Sequence, residues 1–142
     1  MQIVPFQLVY KDQLRALFLA SRQKSFSWLD TSTYRLDDFE QQTAGELIFV
    51  ALLDGHVVGF ISIWEEDNFI HHLYIAEGHK NQKIGTTLLT TACQYLDGPV
   101  QLKCLVENVN ACSFYRKNGF VEKETGDSAE GKYVLMERLP QQ

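Results

Sequence analysis

The chain has 142 residues, of which 45% are hydrophobic and 22% are charged. This length supports one sizeable core and is too short for two ordinary domains, so we expect a single domain over residues 1–142. The formal net charge of -5 disfavours nucleic-acid binding, because neutralising phosphates needs a broad basic face. The first 20 residues have neither a basic start nor a long apolar segment, so we expect a cytoplasmic location and no membrane partner.

Three cysteines, Cys93, Cys104 and Cys112, are present, and no pair has CxxC spacing. An odd number without that spacing predicts neither a disulfide framework nor a zinc site. We therefore expect no metal, and we expect each cysteine to pack as a small hydrophobic residue.

The first 45 residues predict one strand and two helices. Residues 2–6 read as a short strand, and residues 12–24 place Leu14, Leu17 and Phe18 at helical spacing after Asp12. A weaker second helix is predicted to end at Gly45.

From residue 46 the apolar pattern changes to that of strands. Residues 46–53, 56–64 and 69–75 are rich in β-branched and aromatic side chains. Asp54 and Gly55 separate the first two runs and are typical of a type I′ turn. Three antiparallel strands in series are therefore expected.

The second half alternates between helices and strands. A helix is predicted to begin after residues 79–82 and to end at Gly98 and Pro99, and a strand follows over residues 100–106. A short helix with Asn108 or Asn110 at its start and Gly119 after its end precedes strands over residues 120–125 and 132–139. This order predicts a three-layer α/β (α+β) domain, in which a mixed, mostly antiparallel sheet of about seven strands has helices on both faces.

Three motifs resemble those of the GNAT superfamily of N-acetyltransferases, and they occur in the expected order. The first is KNQKIG, residues 80–85, similar to the pyrophosphate loop, with Lys80 in place of Arg or Gln and Lys83 in place of the first Gly. The second is ENVNACSFYRKNGF, residues 107–120, and the third is the hairpin IFVALLDGHVVGFISIW, residues 48–64. Together they cover residues 46–120 and are far more specific than one glycine before a helix, which is usually structural.

The resemblance implies that acetyl-CoA is the co-substrate and inserts between two splayed strands, residues 69–75 and 100–106. Leu73, Tyr74 and Ile75 would line the pantetheine arm, and Asn108 would bond to it. The pyrophosphate would be held by the segment that follows the strand at residues 69–75. Its residues are Lys80, Asn81, Gln82, Lys83, Ile84, Gly85 and Thr86. Backbone N–H groups at a helix start suit this role whatever the side chain, and Gly85 would leave room for the phosphates. Tyr115 would be the general acid that protonates the departing thiolate, although it could instead be a core tyrosine.

An amine acceptor must lose a proton, and His71 and His72 are the candidate bases. Strict strand alternation puts His71 on one face with Leu73 and Ile75, and His72 on the other with Tyr74. Related proteins often carry an acidic residue at the position of His71, which favours His71. Either histidine could equally be structural.

The acceptor site would involve Trp28, Asp30 and Tyr34 in the first two helices and their loop. The predicted activity is acetyl transfer to a primary amine of a small molecule, peptide or protein, by a monomer or a homodimer. The alternative is a catalytically weak acyl-CoA-binding sensor or partner-binding module. A nucleotide-binding module is disfavoured because no P-loop Gly-Lys-Ser/Thr is present.

Overall fold

A computed structural model describes residues 1–80 and 82–140. Its helices are α1 (Lys11–Ser25), α2 (Asp38–Thr43), α3 (Ile84–Tyr95) and α4 (Val109–Lys117). Its strands are β1 (Gln2–Pro5), β2 (Leu47–Leu53), β3 (His56–Trp64), β4 (Phe69–Ile75), β5 (Val100–Leu105), β6 (Val121–Ser128) and β7 (Gly131–Arg138). Among the described helices, none is long and apolar enough to cross a bilayer.

The strands form one sheet in the order β1-β2-β3-β4-β5-β7-β6. Every neighbouring pair is antiparallel except β4 and β5, which are parallel. The predicted mixed, mostly antiparallel sheet of seven strands is therefore confirmed.

The parallel pair separates soon after it begins. β4 and β5 pair at Phe69 with Gln101 and at Ile70 with Leu102, and no further pairing occurs between them in the described residues. Beyond Ile70 the two strands splay apart, which confirms the predicted gap in the centre of the sheet.

Each face of the sheet is covered by helices. Phe18 of α1 and Phe39 of α2 pack with Val50 and Phe60 on one face. On the other face, Leu88 of α3 and Cys112 of α4 belong to the core that contains Ile61, Leu102 and Met136. Alternation along β2 and β3 sends successive apolar side chains into these two cores, as expected for strands buried on both sides.

The turns agree with the sequence at one position and differ at another. Asp54 and Gly55 both have positive φ, 52° and 80°, which is the backbone that a type I′ turn requires. The predicted cap at Gly98 is wrong, because α3 ends at Tyr95 and Leu96 is already extended. Gly98, with φ of 87°, lies instead in the turn that leads into β5.

A β-bulge interrupts the pairing of β3 with β4. Ile63 pairs with Ile70 and Ser62 pairs with His72, so His71 is an extra residue without a partner on β3. A bulge breaks the strict alternation of side chains and can re-aim one of them. This irregularity places two adjacent histidines in the gap between the splayed strands.

Candidate active site

A cavity of about 1090 Å³ lies where β4 and β5 diverge. Its floor includes Leu73, Tyr74 and Ile75 of β4 and residues 103–105 of β5. One end reaches the N-termini of α3 and α4, and the other reaches α1 and the hairpin between β6 and β7. This long shape suits an extended molecule that meets a second one near the middle of the sheet.

The α3 end contains most of the segment predicted to hold a pyrophosphate. The lining residues from this segment are Lys80, Lys83, Ile84, Gly85 and Thr86. Gln82 is exposed and is not among the described lining residues, and Asn81 lies outside the described residues. The first-turn N–H groups of α3 and two lysines therefore border this end, which makes it a candidate anion site.

Lys83 is the N-cap residue of α3 and has φ of 62° and ψ of 16°, a left-handed conformation. A residue other than glycine is strained in this conformation, which explains why similar loops carry glycine at the equivalent position.

Gly85 lies close to an aromatic ring. A Cβ at this position would be 3.1 Å from Cζ of Phe114 and 3.7 Å from Cγ1 of Ile75. A Cβ there would first meet Phe114, which is a reason for glycine that the sequence reasoning did not consider, and the role of Gly85 toward a phosphate stays a prediction. The glycine lets α3 approach α4 closely beside Tyr115.

Asn108 and Tyr115 both line the cavity from α4. Asn108 is the N-cap, and its Oδ1 accepts a hydrogen bond from the backbone N–H of Ala111 at 3.3 Å. Tyr115 is half-buried between Phe114 and Phe120. Burial, followed by the nearby Cys104 thiol, raises the pKa of Tyr115 well above its usual value, so the phenol keeps its proton at neutral pH.

Tyr74, the middle residue of the β4 wall, has its ring against Phe18 and Phe60. Burial raises the pKa of Tyr74 to about 12. Tyr74 therefore also stays neutral, and its ring belongs to the α1 side of the sheet.

His71 and His72 lie together, contrary to the alternation predicted from the sequence. Their ring centroids are 3.9 Å apart, and the ring planes are tilted by 33°. The bulge at His71 is the reason, because the extra residue brings its side chain to the side where His72 points. His71 therefore does not share a face with Leu73 and Ile75 as predicted.

His71 is bound to a buried carboxylate. Its Nδ1 lies 2.6 Å from Oε2 of Glu46, and the hydroxyl of Ser62 donates to the other oxygen, Oε1. The Glu46 side chain is 6% exposed and that of His71 is 43% exposed. A buried carboxylate needs such donors, and a His71 that donates from Nδ1 has Nε2 left to accept a proton.

His72 has a different environment. Its ring packs edge-on against Phe18 at 5.0 Å, and the residue is 9% exposed. Burial, together with the neighbouring His71, lowers the pKa of His72 to about 3, so this ring is neutral at physiological pH. A base with such a low pKa would hold a proton poorly, so the geometry favours His71 over His72.

Glu46 and Ser62 were missed by the sequence reasoning. Glu46 follows Gly45, whose φ of 79° turns the chain from α2 into β2. Its parity with Ile48 and Val50 would have placed it on the α1 face, the face of Ser62 and His72. The parity of Glu46 could therefore have been used to place it on this face. Its contact with His71 could not have been predicted, because it depends on the bulge.

The acceptor residues predicted from sequence lie next to the cavity. Trp28, Asp30 and Tyr34 are not among its described lining residues, whereas Arg22 and Phe26 are. Tyr34 packs under the Arg22 guanidinium at 3.9 Å, and the ring of Trp28 meets that of Phe26 at 5.7 Å. Their direct contact with an acceptor stays a prediction.

The indole of Trp28 also connects two loops, since Nε1 donates to the carbonyl of Glu130 at 3.3 Å. Asp30 accepts from the backbone N–H of Ser32, which lowers the pKa of its exposed carboxyl. Lys103 reaches the cavity with its ammonium 4.8 Å from the Tyr133 ring. The residues next to this part of the cavity thus come from both the α1–α2 loop and the β6–β7 hairpin.

The fold therefore combines a seven-stranded sheet that is split between parallel β4 and β5 with a helix N-terminus at the split. The family model described as the acetyltransferase (GNAT) family matches residues 11–120. The chain therefore belongs to the GNAT acetyltransferase family.

Individual relatives agree with this assignment. Streptothricin acetyltransferase of Streptomyces lavendulae is 29% identical in an alignment 119 residues long, and the alignment covers 73% of this chain and 63% of that protein. The chain thus spans less than two thirds of that curated relative.

Two solved structures share the fold. The PaiA N-acetyltransferase of Thermoplasma acidophilum, in complex with coenzyme A, has 22% identity and a TM-score of 0.79 over 98% of this chain and 99% of that one. A putative streptothricin acetyltransferase of Bacillus anthracis, in complex with acetyl coenzyme A, has 23% identity and a TM-score of 0.61 over 66% of this chain and 62% of that one.

Proposed function

We propose that this chain is an N-acetyltransferase that moves the acetyl group of acetyl-CoA to a primary amine by direct attack on the thioester. The observation that carries the proposal is His71, which is bound to Glu46 at 2.6 Å and lines the same cavity as Tyr115. A proton acceptor and a proton donor therefore border one continuous cavity between the splayed strands. Both are needed when an ammonium is acylated and a thiolate leaves.

The cavity fits acetyl-CoA in its length and in its polar groups. Beyond Ile70, the edge of β4 that faces β5 has no strand partner in the described chain, so its free amides and carbonyls can bond a pantetheine arm. The start of α3, with Lys80 and Lys83 beside it, offers N–H groups and positive charge to the pyrophosphate. Structural relatives solved with coenzyme A or acetyl coenzyme A support this choice of co-substrate.

The thioester would lie against β4 near Tyr74 and Ile75. A backbone N–H of that segment would donate to the carbonyl oxygen as negative charge develops there. The phenol of Tyr115 would then donate its proton to the sulfur as the C–S bond breaks. Its raised pKa keeps that proton in place until the thiolate forms.

His71 would accept the proton of the attacking amine at Nε2, directly or through one water. Glu46 holds the ring through Nδ1 and stabilises the imidazolium that forms, and Ser62 holds Glu46. Glu46 is a positioning residue, because it acts through His71. The exposed 43% of the His71 side chain leaves the ring accessible from the cavity.

A cationic acceptor suits the far end of the cavity. Asp127 and Glu130 of the β6–β7 hairpin line it, and they offer carboxylates to an ammonium. The name of the curated relative, streptothricin acetyltransferase, also makes amine-bearing small molecules the first class to test. Peptide and protein amino groups are the second class.

The alternative, a catalytically weak acyl-CoA-binding module, has no need of the buried Glu46–His71 pair. A carboxylate that is 6% exposed is expensive to bury, and a packing role alone would not require it. The alternative is therefore an outcome of the test below and is not favoured by the site.

The test is a panel of small amines and N-terminal peptides incubated with acetyl-CoA, with acetylated products detected by mass spectrometry. We expect at least one amine to be acetylated, and we expect acetyl-CoA to raise the melting temperature at tens to hundreds of micromolar, because it binds only the folded state. Binding of acetyl-CoA without acetylation of any amine would favour the alternative. Absence of binding at millimolar acetyl-CoA would contradict both readings.

A further inference from the structure

The three side chains at the bulge form a group with the composition of a metal site. Glu46, His71 and His72 each offer one ligand atom, and these atoms lie within 4.8 Å of one another. Zinc binds histidine nitrogen and carboxylate oxygen at about 2.0–2.2 Å, and two histidines with one glutamate are a ligand set used by zinc enzymes.

His72 gives a second and independent observation. Its Nε2 is buried and has no hydrogen-bond partner in the part of the chain that the structure describes. The residue is 9% exposed, so an unsatisfied nitrogen there is costly unless something binds it.

The position of the group allows a metal to enter and leaves one ligand place open. His71 and His72 both line the cavity, and the His71 side chain is partly exposed, whereas Glu46 is not among the described lining residues. Three protein ligands around zinc leave a fourth position for water, as in open zinc sites. That fourth position would face the cavity where the acceptor amine enters.

We propose that Glu46, His71 and His72 bind one Zn²⁺ ion and that zinc at this site inhibits acetyl transfer. Binding rests on the geometry of the three side chains alone. Inhibition rests on the proposed function, because a His71 ring bound to zinc cannot accept a proton from the amine. The sequence prediction of no metal is thereby revised at a place that contains none of the cysteines.

Calorimetric titration of the chelator-treated protein with zinc chloride tests the binding. We expect one equivalent to bind with micromolar or tighter affinity. His72→Gln and Glu46→Gln should each weaken binding by at least about tenfold, since each removes a ligand. The matched control is His56→Gln, which removes an exposed histidine from the β2–β3 hairpin and should bind zinc as the parent does.

Cobalt(II) spectra distinguish this site from the cysteines. Cys104 and Cys112 have sulfur atoms 3.0 Å apart and could attract a thiophilic metal. We expect visible d–d bands of a nitrogen and oxygen site, without a near-ultraviolet thiolate charge-transfer band. A thiolate band, absence of binding, or equal binding by the parent and the two ligand variants would overturn the metal site.

Acetylation measured by mass spectrometry, with and without zinc, tests the inhibition. This readout avoids the free thiol of CoA, which binds zinc itself. We expect zinc to suppress turnover of the parent, and to do so at concentrations at least about tenfold higher in His72→Gln, with each protein compared with its own activity in chelator. Zinc that binds at the three residues without inhibition would leave the metal site standing and contradict the role of His71 as base.

Discussion

Glu46 and His71 are joined at 2.6 Å although 25 residues separate them in the sequence. Three local features produce the contact. Gly45 turns the chain so that Glu46 points to the α1 face of the sheet, Ser62 holds one carboxylate oxygen, and the bulge turns His71 to that same face. The proposed base is therefore a product of irregular backbone in otherwise regular strands.

Tyr115→Phe removes one hydroxyl and preserves the ring that packs between Phe114 and Phe120. We expect turnover to fall by roughly 10² to 10⁴, with little change in the affinity for acetyl-CoA. Single-turnover kinetics, in which chemistry limits the rate, measure the first quantity, and calorimetry measures the second. Unchanged turnover would mean that Tyr115 is a packing residue.

The raised pKa of Tyr115 also predicts how the reaction rate depends on pH. Since the phenol stays protonated well above neutrality, it should not produce a fall in rate on the alkaline side of neutral pH. If the parent shows such a fall and Tyr115→Phe abolishes it, the phenol titrates there and the structural account of its burial is wrong.

Lys83→Gly should raise the free energy of unfolding by about 0.5–1 kcal/mol, because it relieves a left-handed backbone that only glycine adopts freely. The affinity for acetyl-CoA should change by less than about 1 kcal/mol, since the exposed ammonium is a small term. Lys83→Ala is the control, because it removes the charge and keeps the strain. Urea unfolding of the parent, Lys83→Gly and Lys83→Ala measures the free energies of unfolding. Equal stability of the two variants would contradict the prediction.

Gly85→Ala tests whether the missing Cβ serves Phe114. The new methyl group would lie 3.1 Å from the ring, and overpacking of this kind destabilises, whereas alanine within a helix gains up to about 1 kcal/mol over glycine. The decisive quantity is therefore a coupling. Combined with Phe114→Leu, Gly85→Ala should be less destabilising by about 0.5–3 kcal/mol than it is alone.

Acetyl-CoA titration of the same four proteins separates the two explanations of this glycine. If Gly85→Ala weakens acetyl-CoA binding by the same factor whether position 114 is Phe or Leu, the missing Cβ leaves room for the phosphates. If the loss of affinity is recovered together with stability in the double variant, the ring is the reason for the glycine.

His72 predicts how stability depends on pH. Its pKa is about 3 in the folded protein and 6.5 in the reference state, so between these values the unfolded chain binds more protons. Its contribution to folding stability is therefore lost as pH falls through that window. Between about pH 7 and about pH 5, the parent should lose about 2 kcal/mol more than His72→Gln loses.

Urea unfolding at the two pH values measures this difference, and His56→Gln serves as the exposed-histidine control. It should lose as much stability as the parent. Equal losses by the parent and His72→Gln would mean that the ring is protonated in the folded state.

The regular parts of the fold could be predicted because their signals are local. The Asp54–Gly55 turn and the Asn108 cap each depend on a few adjacent residues, and both occur where the sequence indicates them. The runs of β-branched and aromatic residues within 46–75 likewise predict three strands within one or two residues of their observed bounds.

The site was less predictable because it depends on non-local geometry. No residue near His71 predicts a bulge, because the register shift arises from the pairing of β3 with β4. Glu46 looks like a polar residue at the start of a strand until Ser62 and His71 are placed beside it. The reason for Gly85 was missed for the same cause, because Phe114 is 29 positions away in the printed sequence.

The turnover of His71→Gln, compared with that of Glu46→Gln and His72→Gln, tests the proposed mechanism most directly. With an amine found in the acetyl-CoA panel, single-turnover kinetics should show His71→Gln slower by roughly 10² to 10⁴, with the affinity for acetyl-CoA unchanged. Glu46→Gln should be slowed by a smaller factor because it acts through His71, and His72→Gln should be slowed less than His71→Gln. If His71→Gln acetylates the amine as fast as the parent over the whole pH range, His71 is not the base and the account fails.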